Sequence, residues 1–411
     1  MTKMSNDVIF AAAGNGKTYN ICNEAIKLAS ETNKLILLVS YTNEGVHSLE
    51  KEYRKQNFGV LDKNVIIKTW YSFLLSELIK PYQCLLKIKK KQYKNEYDFA
   101  IPENHIKSIA FYQDEERPLW YKNVHIQYYL NSAQDIRKDS VSHLAVRCIE
   151  DSKDKAIERL EAIYSHIFFD ELQDYAGWDL EIFLRLFSSE IQIRCVGDYK
   201  QATFRTNNSP KYKQYRDEKI KDFFLVQSNN GVCELSYSNT TRRFNQEICD
   251  FVNTIFNDKE STICPYQDCM YPQVEHTGVY MIDNQYIEQY CQLYNPTILR
   301  YDRNSKIKFN HSCQVFNYGN SKGATFERTI IVPVGTVLPF IKEQKNITSN
   351  QTRSKFFVAC TRAKHSIVFA VDNPKTSSFF KPVSIEIGSN TIPAFRYQMQ
   401  ETKENRNREN K

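Results

Sequence analysis

Near the amino end of the sequence, VIF runs into AAAGNGKTYN, residues 11–20, and the residue types there suit one task, holding a chain of phosphates. In such a loop successive backbone N–H groups face phosphate oxygens, a lysine reaches the outer phosphates and a hydroxyl ligates Mg2+. Lys17 and Thr18 take the last two roles, and Ala13, Gly14, Asn15, Gly16 and Tyr19 complete the candidate binding set. The chain has only 12 glycines, and two of them stand just before the lysine, where the backbone must turn tightly. A second candidate site is HIFFDELQDY, in which an apolar strand delivers two carboxylates. Asp170 is placed to hold Mg2+, and Glu171 to orient and deprotonate a water attacking the last phosphate. Taken alone, DELQD also reads as an acidic helix start; its place 153 positions after Lys17, at the end of a second strand of the same unit, favours the catalytic reading. A third strand, in RCVGDYKQATF, leads to Gln201 as a sensor of the γ phosphate and to Phe204 as an aromatic near the sheet's carboxyl edge.

The elements that would position these groups follow a βαβ rhythm. DVIFAA, LILLVSY and VIIKT alternate with helical patterns from Lys17, about Asn43 and Trp70, and SHIFFD and IQIRCVGD resume the series. From Pro81 to about Arg159 charged and aromatic segments with helical spacing imply an inserted helical subdomain. A second α/β unit is expected from near Gly231, with VCELSY, the helix RFNQEICDFVNTIF, GVYMID, PTILRY, SCQVF, RTIIVPV and SIVFAVD. The expected fold class is α/β, two parallel sheets flanked by helices. Its boundaries are 1–80 with 160–230 for the first domain, 81–159 for the insertion and 231–385 for the second domain. The extension 386–411 is expected to be partly disordered, the tail ETKENRNRENK being polar and mixed in charge.

Composition narrows the setting. The 411 residues, 41% of them apolar and 13% aromatic, suffice for two or three cores. No run approaches the length of a membrane helix and the start lacks a signal-peptide pattern, so no membrane partner and a cytoplasmic place are expected. Eleven scattered cysteines without a CxxC pair read as reduced thiols; CPYQDC, Cys264 to Cys269, is the nearest pairing. A net charge of +7 suits a polyanion, and KIKKKQYK, Lys87 to Lys94, is either a solvated helix face or loop or a phosphate-contacting patch.

The motifs, in order, resemble the superfamily 1 helicases of the UvrD and Rep type over most of the chain. AAAGNGKT resembles motif I; VSYTN with Thr42 and Asn43 and KTWYSF from Thr69 to Phe73 are similar to the next two elements. DELQD and VGDYKQATF resemble motifs II and III. LSYSNTTRRFNQEICDFVN, NSKGATFERTIIV and FFVACTRAKHSIVF resemble motifs IV, V and VI. The resemblance implies two RecA-like P-loop NTPase domains with ATP and Mg2+ between them. It further implies phosphate-directed Arg362 and Arg243 from the second domain, with Arg242 the alternative to Arg243, and Gly323 of motif V in the nucleotide set. Departures accompany it. Only 13 residues precede Gly14, which leaves no room for the family's adenine-reading glutamine element, so ATP against another NTP stays open. Asn317, Gly319 and Thr325 replace the usual motif V residues, with Glu327 two further on. Residues 254–314 number 61, too few for the family's 2B subdomain beside their own strands, whereas 81–159 supplies a reduced 1B.

The resemblance implies a motor on single-stranded nucleic acid, DNA for preference, moving 3′ to 5′, with Thr42, Asn43, Thr69, Trp70 and Phe204 as strand contacts. For Trp70 and Phe204 the competing reading is a core aromatic. The rival function is a regulatory ATPase or DNA-sensing subunit paired with a nuclease. Small helicases of this type resemble those that accompany OLD-like nucleases in antiphage systems such as Gabija.

Overall fold

A computed structural model describes residues 6–111, 117–203, 209–256, 258–265, 274–387 and 390–398. These divide into two compact units. The first takes 6–10, 17–199 and 209–236; the second takes 11–16, 200–203 and the described residues from 237 onward.

The first unit opens with β1 (Asp7–Ala11), α1 (Lys17–Ala29), β2 (Leu35–Ser40), α2 (Asn43–Gln56), β3 (Val65–Thr69) and the short α3 (Trp70–Phe73). The insertion then departs from the all-helical expectation. It carries β4 (Ile88–Gln92) paired antiparallel with β5 (Asn95–Phe99), and β6 (Ile109–Ala110) paired in parallel with β7 (Ile136–Arg137). Its helices are α4 (Ile126–Tyr129), α5 (Val141–Asp151) and α6 (Lys155–Ile163). The lysine run of 87–94 builds a hairpin because its charges find partners across the strands, Lys89 opposite Asp98 and Lys91 opposite Glu96, instead of at helical spacing. The unit closes with β8 (Tyr164–Phe169), α7 (Trp178–Phe187), β9 (Gln192–Gly197), α8 (Ile220–Asn229) and β10 (Glu234–Ser238).

Among the described residues the first sheet has the order β10-β1-β9-β8-β2-β3, with β1, β9, β8, β2 and β3 parallel to their neighbours. The two-residue period of the strands divides its apolar residues between two cores. Leu37, Val39, Ile167 and Phe169 join α5, α7 and α8 on one face, whereas Ile36, Leu38 and Phe168 join Ile21, Ala25, Leu49 and Tyr53 of α1 and α2 on the other. VCELSY was expected in the second unit; its β10 instead edges this first sheet, with the Glu234 amide donating to the Asn6 carbonyl at 2.8 Å. An edge beside β1 offers unpaired backbone groups that a following strand satisfies.

The second unit contains α9 (Gln246–Phe256), β11 (Gly278–Asp283), α10 (Ile287–Tyr294), β12 (Thr297–Arg300), β13 (Val315–Asn317), β14 (Phe326–Val332), α11 (Leu338–Glu343), α12 (Asn350–Cys360), β15 (Ala363–Val371), β16 (Phe380–Ile387) and β17 (Asn390–Tyr397). Its sheet runs β13-β12-β14-β15-β11-β17-β16; the first five strands are parallel and the β16–β17 hairpin is antiparallel. Here too alternate residues serve two cores, Met281, Ile331 and Phe369 one, Ile282, Ile330 and Val368 the other. The extension expected from 386 therefore supplies a strand: Ile392 and Ala394 are buried, and the Phe395 position pairs with Met281. Residues 399–411 lie outside the described set. Every described cysteine is a free thiol, and Cys269 is outside that set. No described helix is long and apolar enough to cross a membrane.

Trp70 corrects the expectation of a strand contact. Its side chain is 0% exposed, stacked on Phe73 and Phe183 and edge-on to Phe169 and Tyr175. Its indole Nε1 donates to Asp179 Oδ1 at 2.8 Å, which removes the polar reason to face solvent. Asp179 is shared: Ser142 Oγ donates to the same oxygen and the Ala176 amide to the other at 3.2 Å. The Trp70→Phe variant should therefore lower the urea midpoint of the first unit by an equivalent of about 1–3 kcal/mol, the cost of leaving a buried acceptor short of a donor. An unchanged midpoint would show that the indole is not part of this core.

Candidate active site

The first unit holds the candidate carboxylates. β8 is central, between β9 and β2, and its last hydrogen bond along β2 is made by the Asp170 amide to the Val39 carbonyl at 2.9 Å. Asp170 follows the strand at once, is 5% exposed, and accepts from the Thr18 hydroxyl at 3.1 Å and from the Glu171 amide at 2.8 Å. Burial, then the Glu171 charge, hold the Asp170 carboxyl above the usual range, against the pull of the Glu171 amide, Lys17 and Thr18. A carboxylate and a hydroxyl in a dry setting form an oxygen-only set of the kind a hard divalent cation takes.

Glu171 is held in the left-handed region, φ 57°, where a non-glycine residue is strained. The conformation turns the chain sharply after β8. Gln173 is the residue that sequence reasoning undervalued: its Nε2 donates to Glu171 Oε2, and its Oε1 accepts from the Asp198 amide at 2.8 Å. One amide side chain thus ties the turn after β8 to the turn after β9. The close approach needs Gly197, because a Cβ there would lie 2.6 Å from Gln173 Oε1 and 2.8 Å from Leu172 Cβ. The signal was present in the DELQD and VGD motifs, but only the adjacency of β8 and β9 connects them.

The loop 11–16 is described with the second unit, where it is fastened to the segment 238–243. The Ala12 amide donates to the Ser238 carbonyl at 2.9 Å, and the Arg242 amide to the Gly14 carbonyl at 2.9 Å. Asn15 is buried, and its side-chain amide is taken up by Ser238 Oγ at 2.9 Å and by the carbonyl and hydroxyl of Thr240 at 2.9 and 3.1 Å. Its side chain therefore shapes the loop. Ala13 is 1% exposed and joins the second unit's core. Gly14 and Gly16 have φ of 78° and 91°, so both glycines sit where the loop needs them. Serine and threonine at 238–241, the hydroxyl run SNTT, are the partners that the sequence reading did not single out.

Lys17 and Thr18 open α1 and are half-buried; Tyr19, beside them, is exposed. Thr42 and Thr69 both act as helix N-caps, accepting from the amides of Gly45 at 3.0 Å and Ser72 at 3.1 Å, and Asn43 is exposed at the first position of α2. Phe204 lies outside the described residues. In the second unit, Arg362 is 1% exposed. It donates to the carbonyls of Val358 at 3.0 Å and Ala324 at 3.2 Å, to Thr361 Oγ1 at 3.1 Å and to Gln201 Oε1 at 3.1 Å. Arg243 donates to the Thr361 carbonyl at 3.0 Å. Gly323 is exposed with φ 85° and open space around it. Next to Gln201, Lys200 pairs with Asp258 at 3.1 Å.

Residues 76–219 match the UvrD/REP helicase N-terminal domain. No curated protein sequence matches the chain. Among solved structures the chain is similar to an arterivirus nonstructural protein 10 helicase, at TM-score 0.42 and 10% identity over 89% of this chain and 59% of that one. It is similar to the PRRSV helicase at TM-score 0.38 and 13% identity, over 94% and 59%. A complex of arterivirus nonstructural protein 10 with DNA gives 0.41 and 11%, over 90% and 62%. The chain thus spans less than two thirds of each of these proteins.

The loop geometry yields a direct check. A Cβ on Gly14 would lie 2.5 Å from Arg243 Cβ and 2.6 Å from Thr241 Oγ1, at a φ that side chains resist. Gly14→Ala should weaken binding of a fluorescent ADP analogue by about tenfold or more, whereas Gly335→Ala, which meets nothing within 4 Å, should leave it unchanged. Equal affinities for the two variants would remove the loop from the binding site.

Proposed function

We propose that this chain hydrolyses ATP, with Mg2+, and couples the turnover to movement along single-stranded DNA. The observation that carries the reading is the buried Asp170 carboxylate bonded to the Thr18 hydroxyl beside Glu171, at the carboxyl edge of a parallel sheet. That edge is where ligands of such sheets bind. Asp170 and Thr18 are the groups that would hold Mg2+, whose positive charge would offset that of the phosphate oxygens. Lys17 binds the outer phosphates. Glu171 orients the attacking water and takes its proton, and Gln173 fixes the carboxylate for that step. Arg243 and Arg362 stabilise the charge that spreads over the γ phosphoryl group. Arg362 does so by exchanging its bond to Gln201, which makes Gln201 the resting partner of the arginine as well as a phosphate sensor.

The match of residues 76–219 to a helicase domain supports the coupling to a nucleic-acid strand, and the direction 3′ to 5′ follows the motif resemblance. A second reading, an ATPase switch that serves a nuclease partner in antiphage defence, is favoured by one observation. Between α9 and β14 the described secondary structure belongs to the second sheet and its helix α10, with no large accessory domain.

ATPase rates with and without single-stranded DNA test the first reading. DNA should stimulate turnover, the stimulation should fall steeply with salt, and Lys17→Ala should lower the stimulated rate about 100-fold or more. Arg362→Lys, which keeps the charge but not the fork, should lose a large part of it. Absence of stimulation at every salt concentration would overturn the motor reading, and efficient strand displacement on a partial duplex would overturn the pure switch.

A further inference from the structure

With Trp70 in the core, a strand bound to the first unit needs a different ring there to stack its bases. The carboxyl edge of its sheet supplies one. β2 and β3 are in register with Ser40 opposite Thr69, so the chain leaves both strands side by side. Tyr41 follows the first and Tyr71 lies just past the end of the second. Their hydroxyls are 2.6 Å apart in a hydrogen bond, and their rings meet edge to face at 5.4 Å. Tyr41 is further held by the buried Tyr175, edge to face at 5.8 Å.

Tyr71, itself buried, receives the ring of Phe111 at 5.5 Å and 79°. Phe111 is 56% exposed. It follows β6 directly, and β6 is pinned to β7 by the register Ile109 to Ile136 and by the Ile136 amide on the Ser108 carbonyl at 2.9 Å. The ring is thus anchored at its backbone and along one edge, with much of its surface open to solvent. Edge-to-face contacts fix the orientation of such a ring, and a pre-oriented ring loses little rotamer freedom when a flat ligand lands on it. The ends of the same two strands carry Thr42 and Thr69, hydroxyls suited to phosphate.

We propose that Phe111, backed by Tyr71 and Tyr41, is a base-stacking residue for single-stranded DNA on the first unit, with the strand's phosphates toward Thr42 and Thr69. The inference rests on the strand-binding reading above and adds to it a named contact supplied by the insertion. Stacking on an aromatic side chain tolerates any base, so the contact carries affinity without sequence choice.

Binding of a labelled oligothymidylate of roughly 16 nucleotides, carrying one 2-aminopurine, reads both affinity and stacking. Phe111→Ala should weaken binding about tenfold and relieve the quenching of 2-aminopurine. Phe111→Trp should keep both properties. Phe111→Leu, apolar but without a π face, should lose the quenching as alanine does. Thermal midpoints equal to that of the parent protein would exclude a folding defect, as the exposure of the ring implies. Wild-type affinity and quenching in Phe111→Ala would overturn the inference and leave strand binding intact. Failure of the parent protein to bind the oligonucleotide would remove the strand reading and the inference with it.

Discussion

A carboxylate taken out of water at the end of a central strand, next to a second carboxylate, is the constraint on which the first unit turns. Asp170 has one hydroxyl, one amide and the charge of Lys17 in its favour, yet burial and then the Glu171 charge hold its carboxyl above the ordinary range. Such a group needs its few polar neighbours held firmly in place. The strained Glu171, the Gln173 bridge and the bare Gly197 follow from the same need, since each keeps two neighbouring turns close enough to present their polar groups together.

The second unit shows the complementary state. Arg362 is buried, and its guanidinium donates to two carbonyls, a hydroxyl and the Gln201 amide. Three of these partners lie at 324, 358 and 361, on or beside α12 and β14, whereas Gln201 comes from a distant part of the chain. The bond to Gln201 is thus the one that ties Arg362 to a segment outside α12 and β14. Asn15, buried among Ser238 and Thr240, gives the phosphate loop a similar internal tie.

Much of this was legible in the residues. The loop, the paired carboxylates and the alternation of strands with helices carry local signals, and the two parallel sheets with helices on both faces follow from them. What was misjudged depends on partners far away in sequence. Trp70 reads as a surface ring until Asp179 is brought to its indole nitrogen, 109 positions on. The lysine run reads as a helix face until Glu96 and Asp98 are seen across a hairpin. VCELSY has the pattern of a strand that either sheet could take, and only the open edge beside β1 decides which sheet it joins. The strand at 390–397 was hidden by the polar tail beyond it, although its buried Ile392 and Ala394 alternate with exposed Thr391 and Pro393 and mark a buried face.

The central claim, that buried Asp170 and the adjoining Glu171 serve phosphate hydrolysis, is tested most directly by single-turnover hydrolysis of Mg·ATP with Glu171→Gln. The substitution keeps the size of the side chain and its proximity to Gln173 while removing the proton acceptor. The account predicts nucleotide affinity close to that of the parent protein and a hydrolysis rate lower by about 100-fold or more. Hydrolysis by Glu171→Gln at the parent rate would contradict it.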